Sequence, residues 1–208
     1  LVTGGLGYIG SHTSVLLLEK GYDLVIVDDL SNSNEKVIEN ISKITSKVPV
    51  FEKIDLKDKE SVSKLFNNYD FDGIIHFAAH KSVNESVNYP DKYFKNNVGS
   101  LENIIYEIQK LKKPMNFIFS SSCTVYGQAD SMPINEGFEL KKAESPYGQS
   151  KRKCEEILEN FHKTGHNFKN ITLRYFNPIG AHPTSLIGEL PIGIPENLVP
   201  YITQTAVG

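Results

Sequence analysis

The segment Thr3-Gly-Gly-Leu-Gly-Tyr-Ile-Gly10 follows the apolar pair Leu1-Val2 directly and opens a stretch of helical period. Few local features restrict a fold as tightly. Glycines at positions 4, 7 and 10 meet three needs: a tight turn, close approach of backbone to a phosphate, and close packing of a helix on a strand. The free N–H groups at the start of the following helix then face an anion. Set between strand and helix, the pattern is the dinucleotide fingerprint of a parallel sheet covered by helices.

The rest of the chain agrees with that architecture. Apolar runs of strand length, at Leu1-Val2, Leu24 to Val27, Val48 to Ile54, Gly73 to Phe77, Asn116 to Ser120 and Ile171 to Tyr175, alternate with segments of helical period. The helices are predicted at Ile9 to Lys20, Asn34 to Ser46, Asp58 to Asn68, Asp91 to Lys112 and Tyr147 to Thr164, with Asp58 as a cap and Gly21 and Gly165 as stops. Such alternation predicts an α/β fold, a Rossmann-like doubly wound parallel sheet with helices on both faces. After Asn177 the texture changes, because Pro178, Pro183, Pro191 and Pro195 with interspersed glycines break the period. Residues 1–176 therefore read as a dinucleotide-binding domain and 177–208 as the start of a C-terminal substrate-binding region, ending in a helix from Leu198. The opening strand is short and lacks a Met, and the last helix has no recognisable cap, so the chain is expected to be truncated at both ends.

Composition narrows the partners. With 39% hydrophobic and 23% charged residues over 208 positions, the chain has enough apolar side chains for one large core. A net charge of −3 with interspersed signs gives no basic footprint for nucleic acid. No apolar run is long enough to span a membrane, and the expected location is the cytoplasm. Cys123 and Cys154 have neither disulfide nor metal spacing, and no clustered His or Cys suggests a metal.

The strand ends carry the chemistry. Asp28 closes the second strand eighteen residues after Gly10, where an acid accepts hydrogen bonds from an adenosine ribose. Asp29, Leu30, Ser31 and Asn32 follow with no Arg or Lys to receive a 2′-phosphate, which favours NAD over NADP. Asp55 closes the third strand and is a candidate for the adenine amino group or a plain turn residue. In His76-Phe-Ala-Ala-His80-Lys81, the small residues Ala78 and Ala79 allow backbone approach to a cofactor, while His76 reads as a packed strand residue. The fifth strand runs into Ser120-Ser-Ser122-Cys-Thr124, hydroxyls at the carboxyl edge of the sheet, where ligands bind in this architecture.

Tyr147 and Lys151 stand four apart on a predicted helix, so the ammonium shares a face with the phenol and favours its deprotonated form. A phenol needs its pKa lowered by about three units, or roughly 4 kcal/mol, to act as a base near neutrality. One lysine is insufficient. A second cation in a water-poor site, such as an oxidised nicotinamide ring, supplies the remainder. Ser122, expected opposite this helix, is the third candidate.

Together these blocks resemble the extended short-chain dehydrogenase/reductase family of sugar-nucleotide enzymes, and within it the UDP-galactose (UDP-glucose) 4-epimerases. The likeness spans TGGLGYIGSHT at 3 to 13, DDLSNS at 28 to 33, IHFAAHKSVNES at 75 to 86, NNV at 96 to 98, FIFSSSCTVYG at 117 to 127, SPYGQSK at 145 to 151, RYFNPIGAHP at 174 to 183 and GIPENLVPYI at 193 to 202. Cys123 and His80 depart from the Ala and Leu more usual there, and Asp29 stands where Asn is common.

The resemblance implies a function. Tyr147 as phenolate takes the proton of the sugar 4′-hydroxyl while hydride passes from C4′ to NAD; the 4′-keto sugar turns over and takes the hydride back on its other face. Lys151 lowers the Tyr147 pKa and bonds the nicotinamide ribose, and Ser122 bridges the 4′-oxygen. Cofactor contacts are implied for Gly4, Gly7, Tyr8, Ile9, Gly10, Asp28, Asn32, Ser33, Asp55 and Leu56. Further contacts fall to Phe77, Ala78, Ala79, Lys81, Asn96, Ser122, Tyr147, Lys151 and Phe176. The UDP-sugar would meet Ser122, Thr124, Tyr147, Tyr175, Asn177, Asn197 and Leu198. The helices at 91 to 112 and 147 to 164 would form a homodimer surface.

Alternatives differ at named positions. A nucleotide-sugar 4,6-dehydratase needs a carboxyl acid just after the fifth-strand hydroxyls, where this chain has Cys123-Thr124. A reductase/epimerase can carry a cysteine there but prefers NADPH, against Asp28. Epimerases of other UDP-sugars, such as N-acetylhexosamine, glucuronate or pentose forms, remain open, and a non-catalytic NAD-binding protein would have no need to keep both Tyr147 and Lys151.

Overall fold

In a computed structural model, which describes residues 1–207, six strands form one sheet. They are β1 Val2–Thr3, β2 Val25–Asp28, β3 Val50–Lys53, β4 Gly73–His76, β5 Met115–Ser122 and β6 Phe168–Tyr175, in the order β3-β2-β1-β4-β5-β6. The pairs β1–β2, β1–β4, β2–β3 and β5–β6 are parallel. This order is that of the doubly wound nucleotide-binding sheet, whose carboxyl ends are the ligand edge. The predicted α/β class is thus the observed one.

The chain divides into two compact units. The first holds Leu1–Asp55, Ile75–Ala78 and Asn177 onward. Its helices α1 (Tyr8–Glu19) and α2 (Lys36–Thr45) pack together over Val2, Leu6, Val15, Leu18, Ile26 and Ile41. The loop that follows residue 177 is tied to this unit by Ile187, which is buried in the same core, and by Asn40, whose amide donates to the Leu186 carbonyl at 2.8 Å. The second unit holds Leu56–Ile74 and Ala79–Phe176. Here α3 (Lys59–Asn68) packs on the later helix Gly99–Ile108, and the long helix Pro146–Lys163 packs on β5 and β6. Phe117, Phe161 and Phe168 form an aromatic cluster, with ring centroids 4.9 Å apart for Phe161–Phe168 and 5.7 Å for Phe117–Phe168. Full burial of each such ring is worth about 2–3 kcal/mol.

The main difference from expectation lies between residues 82 and 112. The single helix expected at 91–112 is broken into α5 Pro90–Tyr93, a π-helical turn Phe94–Val98 and α6 Gly99–Ile108, and an unexpected helix, α4 Val83–Asn88, precedes it. Ser82 caps α4 by accepting the Glu85 N–H at 3.1 Å, and Ser82-Val-Asn-Glu85 is a recognisable helix-start pattern. Pro90 then restarts the helix at its first position, where a missing N–H costs nothing. The π turn inserts the extra residue that rotates Asn96 and Asn97 into buried positions.

Other boundaries shift for local reasons. β3 begins at Val50, after Pro49, and Val48 is left exposed. β5 continues through all three serines because Ser121 and Ser122 pair with Arg174 and Tyr175. Asp58 does cap α3, accepting the Glu60 N–H at 3.1 Å, and Gly21 and Gly165 adopt positive φ just after their helices. The final helix, α8, is observed at Leu198–Val207, and Gly208 lies outside the described residues. With Pro146–Lys163 as α7, the element order is complete.

One buried amide gives a test of this architecture. Asn103 on α6 donates to the carbonyls of Leu56 and Lys57 at 2.8 and 3.1 Å. Asn103→Ala in the full-length protein leaves both carbonyls without that donor and is expected to cost about 1–3 kcal/mol of unfolding free energy, measured by urea denaturation.

Candidate functional site

In the first unit, the turn after β1 is built so that only glycine fits. Gly4 has φ +63°, and a Cβ there would lie 2.7 Å from the Ala78 nitrogen. A Cβ on Gly10 would lie 2.1 Å from the Gly4 carbonyl oxygen, inside the van der Waals radius of main chain that has no room to move. Gly4 N–H donates to the Val27 carbonyl at 2.7 Å, and Gly7 N–H to the Gly4 carbonyl at 3.1 Å, which fixes the loop. Gly7 caps α1 with extended backbone and no side-chain acceptor, and no acid stands in the first turn beside Tyr8, Ile9 and Gly10. The positive end of the helix dipole is therefore left for an anion, and the donor set fits a dinucleotide pyrophosphate.

Asp28 ends β2 with its carboxylate almost fully buried. One oxygen accepts the Leu6 N–H at 3.1 Å; the other accepts the Leu30 N–H at 3.0 Å and the Ser33 hydroxyl at 2.7 Å. Two carboxylate oxygens offer about four acceptor sites, so capacity remains for one more donor. Ser33 therefore supports Asp28 directly, whereas Asn32 and Asp55 are exposed. Phe77 N–H donates to the Thr3 carbonyl at 3.0 Å and Ala78 N–H to the Thr3 hydroxyl at 3.4 Å, which holds the segment against Gly4. His76 is fully buried on the same Thr3 hydroxyl at 2.7 Å, a packed strand residue. Tyr8 donates its hydroxyl to the Gly180 carbonyl at 2.9 Å. Asn197 donates to Glu189 at the start of α8, and Asn177 and Leu198 are exposed.

In the second unit, the start of α7 meets the end of β5. Ser145 caps α7 by accepting the Gly148 N–H at 3.1 Å, with Pro146 at the first helical position. This sets Tyr147 and Lys151 on the buried face. Ser122, also buried, accepts the Thr124 N–H at 3.2 Å and its hydroxyl at 3.0 Å. A Cβ on Gly148 would stand 3.1 Å from the Thr124 carbonyl, so α7 sits directly against this turn. Ser122, Thr124, Tyr147 and Lys151 are thereby brought together. Tyr175 is half-buried beside Ser122 in the β5–β6 register, whereas Phe176 and Lys81 are exposed. Leu56 is buried, its carbonyl taken by Asn103.

A residue missed in the sequence organises this region. Asn97, next to the expected Asn96, accepts the His80 N–H at 2.8 Å and returns its amide to the His80 carbonyl at 3.0 Å. The same amide group reaches the Ser150 hydroxyl on α7 at 3.0 Å, and the Cys154 thiol donates to the Asn97 carbonyl at 3.4 Å. Asn96 donates to Asn97 at 3.1 Å. The doubled Asn in a helical stretch was the available signal. Ala79 and His80 are thus positioned through main chain; the His80 ring lies 5.6 Å from that of Tyr93.

The electrostatics qualify the expected Tyr–Lys partnership. Burial pushes the Tyr147 phenol up; the Ser122 hydroxyl pulls it back, and Cys123 adds to the rise. The Lys151 ammonium donates to the Ser120 carbonyl at 2.7 Å and lies over the Phe119 ring at 4.9 Å. Burial lowers it to about 8, against smaller upward influences of Cys154 and Glu155. The surroundings of Tyr147 therefore favour its protonated form, a preference that a further positive charge beside it would oppose. Among the described residues, no three His, Cys, Asp or Glu are grouped as metal ligands, and no helix is long and apolar enough to cross a membrane.

Residues 1–205 match the family model described as GDP-mannose 4,6 dehydratase. The chain belongs to that family. Among its relatives, the UDP-glucose 4-epimerase of Schizosaccharomyces pombe is 48% identical over the whole chain and 59% of its own length. The UDP-glucose 4-epimerase of Stenotrophomonas maltophila, solved with NAD and formylated UDP-arabinopyranose, is 44% identical with a TM-score of 0.94 over the whole chain and 61% of that protein. The Bifidobacterium longum enzyme, solved with NAD+ and UDP, is 41% identical with a TM-score of 0.96 over the whole chain and 62% of its own. The chain thus spans about 60% of the length of the curated relatives it matches. The resemblance to 4-epimerases read from the sequence is the one these comparisons support.

A buried ammonium at this site carries a stability cost that can be measured. Lowering Lys151 from 10.5 to about 8 corresponds to roughly 3 kcal/mol at pH 7. Because the unfolded chain holds this proton longer than the folded one, stability contributed by the group rises between pH 8 and 10.5. Lys151→Met in the full-length protein is expected to raise the melting temperature at pH 7, with the gain over wild type shrinking as pH rises through that window. A constant or absent gain would show that Lys151 carries no such cost.

Proposed function

We propose that the protein containing this chain interconverts UDP-galactose and UDP-glucose by transient NAD-dependent oxidation at the sugar C4′. The grouping of Tyr147, Ser122 and Lys151 at the β5–α7 junction, with no carboxyl at 123 or 124, carries this reading. When bound, NAD supplies an acceptor that takes a hydride from the sugar and returns it. Gly4, Gly7 and Gly10 would hold its pyrophosphate with the N–H groups of Tyr8 and Ile9, and the free acceptor capacity of Asp28 suits a ribose hydroxyl. Phe77, Ala78, Ala79, Lys81, Asn96 and Phe176 are proposed further contacts, as are Asn32, Ser33, Asp55 and Leu56.

The proton chemistry belongs to the chain's own residues. Tyr147 removes the proton from the 4′-hydroxyl through the bridging Ser122 hydroxyl and gives it back when the keto sugar is reduced on its opposite face. Since burial holds the phenol up, Tyr147 acts as a base only with positive charge beside it, which ties the first step to oxidised NAD. Lys151 supports that charge state and would bond the nicotinamide ribose. Thr124, Tyr175, Asn177, Asn197 and Leu198 are proposed to orient the UDP-sugar.

The match to a dehydratase model is compatible with this assignment, since elimination of water would need an acid that Cys123 and Thr124 cannot provide. Burial raises the Cys123 thiol further from any acidic role. In this proposal residues 1–176 form the NAD-binding domain, 177–208 open the substrate-binding region, and the working form is a cytoplasmic homodimer in galactose metabolism.

Full-length protein incubated separately with UDP-galactose and UDP-N-acetylgalactosamine is expected to form the C4′ epimer of the first. Tyr147→Phe is expected to lose roughly 10²–10⁴-fold in kcat while retaining bound NAD. A variant with near-normal turnover would remove Tyr147 from the mechanism, and a wild type that epimerises only the N-acetyl sugar would reassign the substrate.

A further inference from the structure

The last three residues of β5 are each engaged from α7 in steps of one helical turn. Ser122 faces Tyr147, the Ser120 carbonyl accepts Lys151 at 2.7 Å, and the Ser121 hydroxyl donates to Glu155 at 2.5 Å. Glu155 is itself clamped from β6: Arg174 Nε donates to Oε1 at 3.1 Å and Nη2 to Oε2 at 2.8 Å, a bidentate pair with both side chains largely buried. The guanidinium also lies 4.7 Å from the Tyr126 ring centroid, on the turn that carries Thr124. Ser121 and Arg174 are register partners in the sheet, so one carboxylate ties both strands to the helix.

We propose that Glu155 and Arg174 are positioning residues for the epimerisation chemistry, setting the height of α7 on β5 so that Tyr147 and Lys151 stay in line with Ser122. The assignment rests on the function proposed above. Neither residue is needed for the fold class, since β5 and β6 already share eight register pairs and the Phe117, Phe161 and Phe168 cluster anchors the far end of α7. What the pair adds is placement at the chemical end, where a displacement of about 1 Å can cost 10²-fold in rate.

The test uses full-length holoenzyme. Glu155→Gln and Arg174→Lys are each expected to lower kcat about 10- to 100-fold while KM for the nucleotide sugar and bound NAD stay within about twofold. Lysine keeps the charge but not the fork. Wild-type kcat with only a lowered melting temperature overturns the proposal, as does a loss expressed wholly in KM. A readout independent of turnover is the titration of Tyr147, followed as tyrosinate absorbance against a Tyr147→Phe reference. The groups facing this site include Ser122 and Cys123 at the end of β5, Lys151, Cys154 and Glu155 on α7, and Tyr93 on α5, whose ring centroid lies 6.4 Å from that of Tyr147. In Arg174→Lys, which alters no charge, the midpoint is expected to rise by about one unit as Ser122 drifts from the phenol. An unchanged midpoint overturns the pair's role even if wild type proves inactive on every nucleotide sugar, an outcome that would refute the proposed function by itself.

Discussion

The bond from the Lys151 ammonium to the Ser120 carbonyl places a charge where helix and sheet meet, and much of the second unit is arranged around it. An ammonium removed from water needs compensation from fixed dipoles, or it loses its proton. Here it receives one carbonyl, one aromatic face and a carboxylate one turn along the helix. That is partial compensation. It leaves a group near its own midpoint around pH 8, a poor structural cation and a responsive one.

The same economy bears on the role proposed for Tyr147. Burial favours the neutral phenol, and a positive charge beside it would act in the opposite direction. Hydroxyl groups surround it in place of carboxylates: Ser122 and Thr124 bond each other rather than a charged partner. A site built from hydroxyls passes a proton in either direction with little bias, which would suit the proposed reaction, whose second half reverses the first.

How much of this was legible depended on whether the signal was local. Gly4 and Gly10 were readable because a short backbone approach admits one residue type, and the Cβ distances give the reason. Asp28 was readable from its place at a strand end. The β5 serines were cut short in the sequence because a serine run looks like a turn; only pairing with Arg174 and Tyr175 keeps them extended. Glu155 and Arg174 lie nineteen residues apart, and no spacing rule connects them until the strand and helix are stacked. The bond from Lys151 to the Ser120 carbonyl was hidden for a similar reason, since that acceptor belongs to another element.

Asn97 has a consequence beyond its geometry. Its one side chain serves the His80 main chain and the Ser150 hydroxyl, and its carbonyl takes the Cys154 thiol, so the loop after β4 and helix α7 share a single residue. Positions linked in this way do not respond independently to substitution. A change at Ser150 or Cys154 can reach the loop after β4 through Asn97. Variation in this region is therefore permitted in sets, and an exchange that is harmless in one background is costly in another.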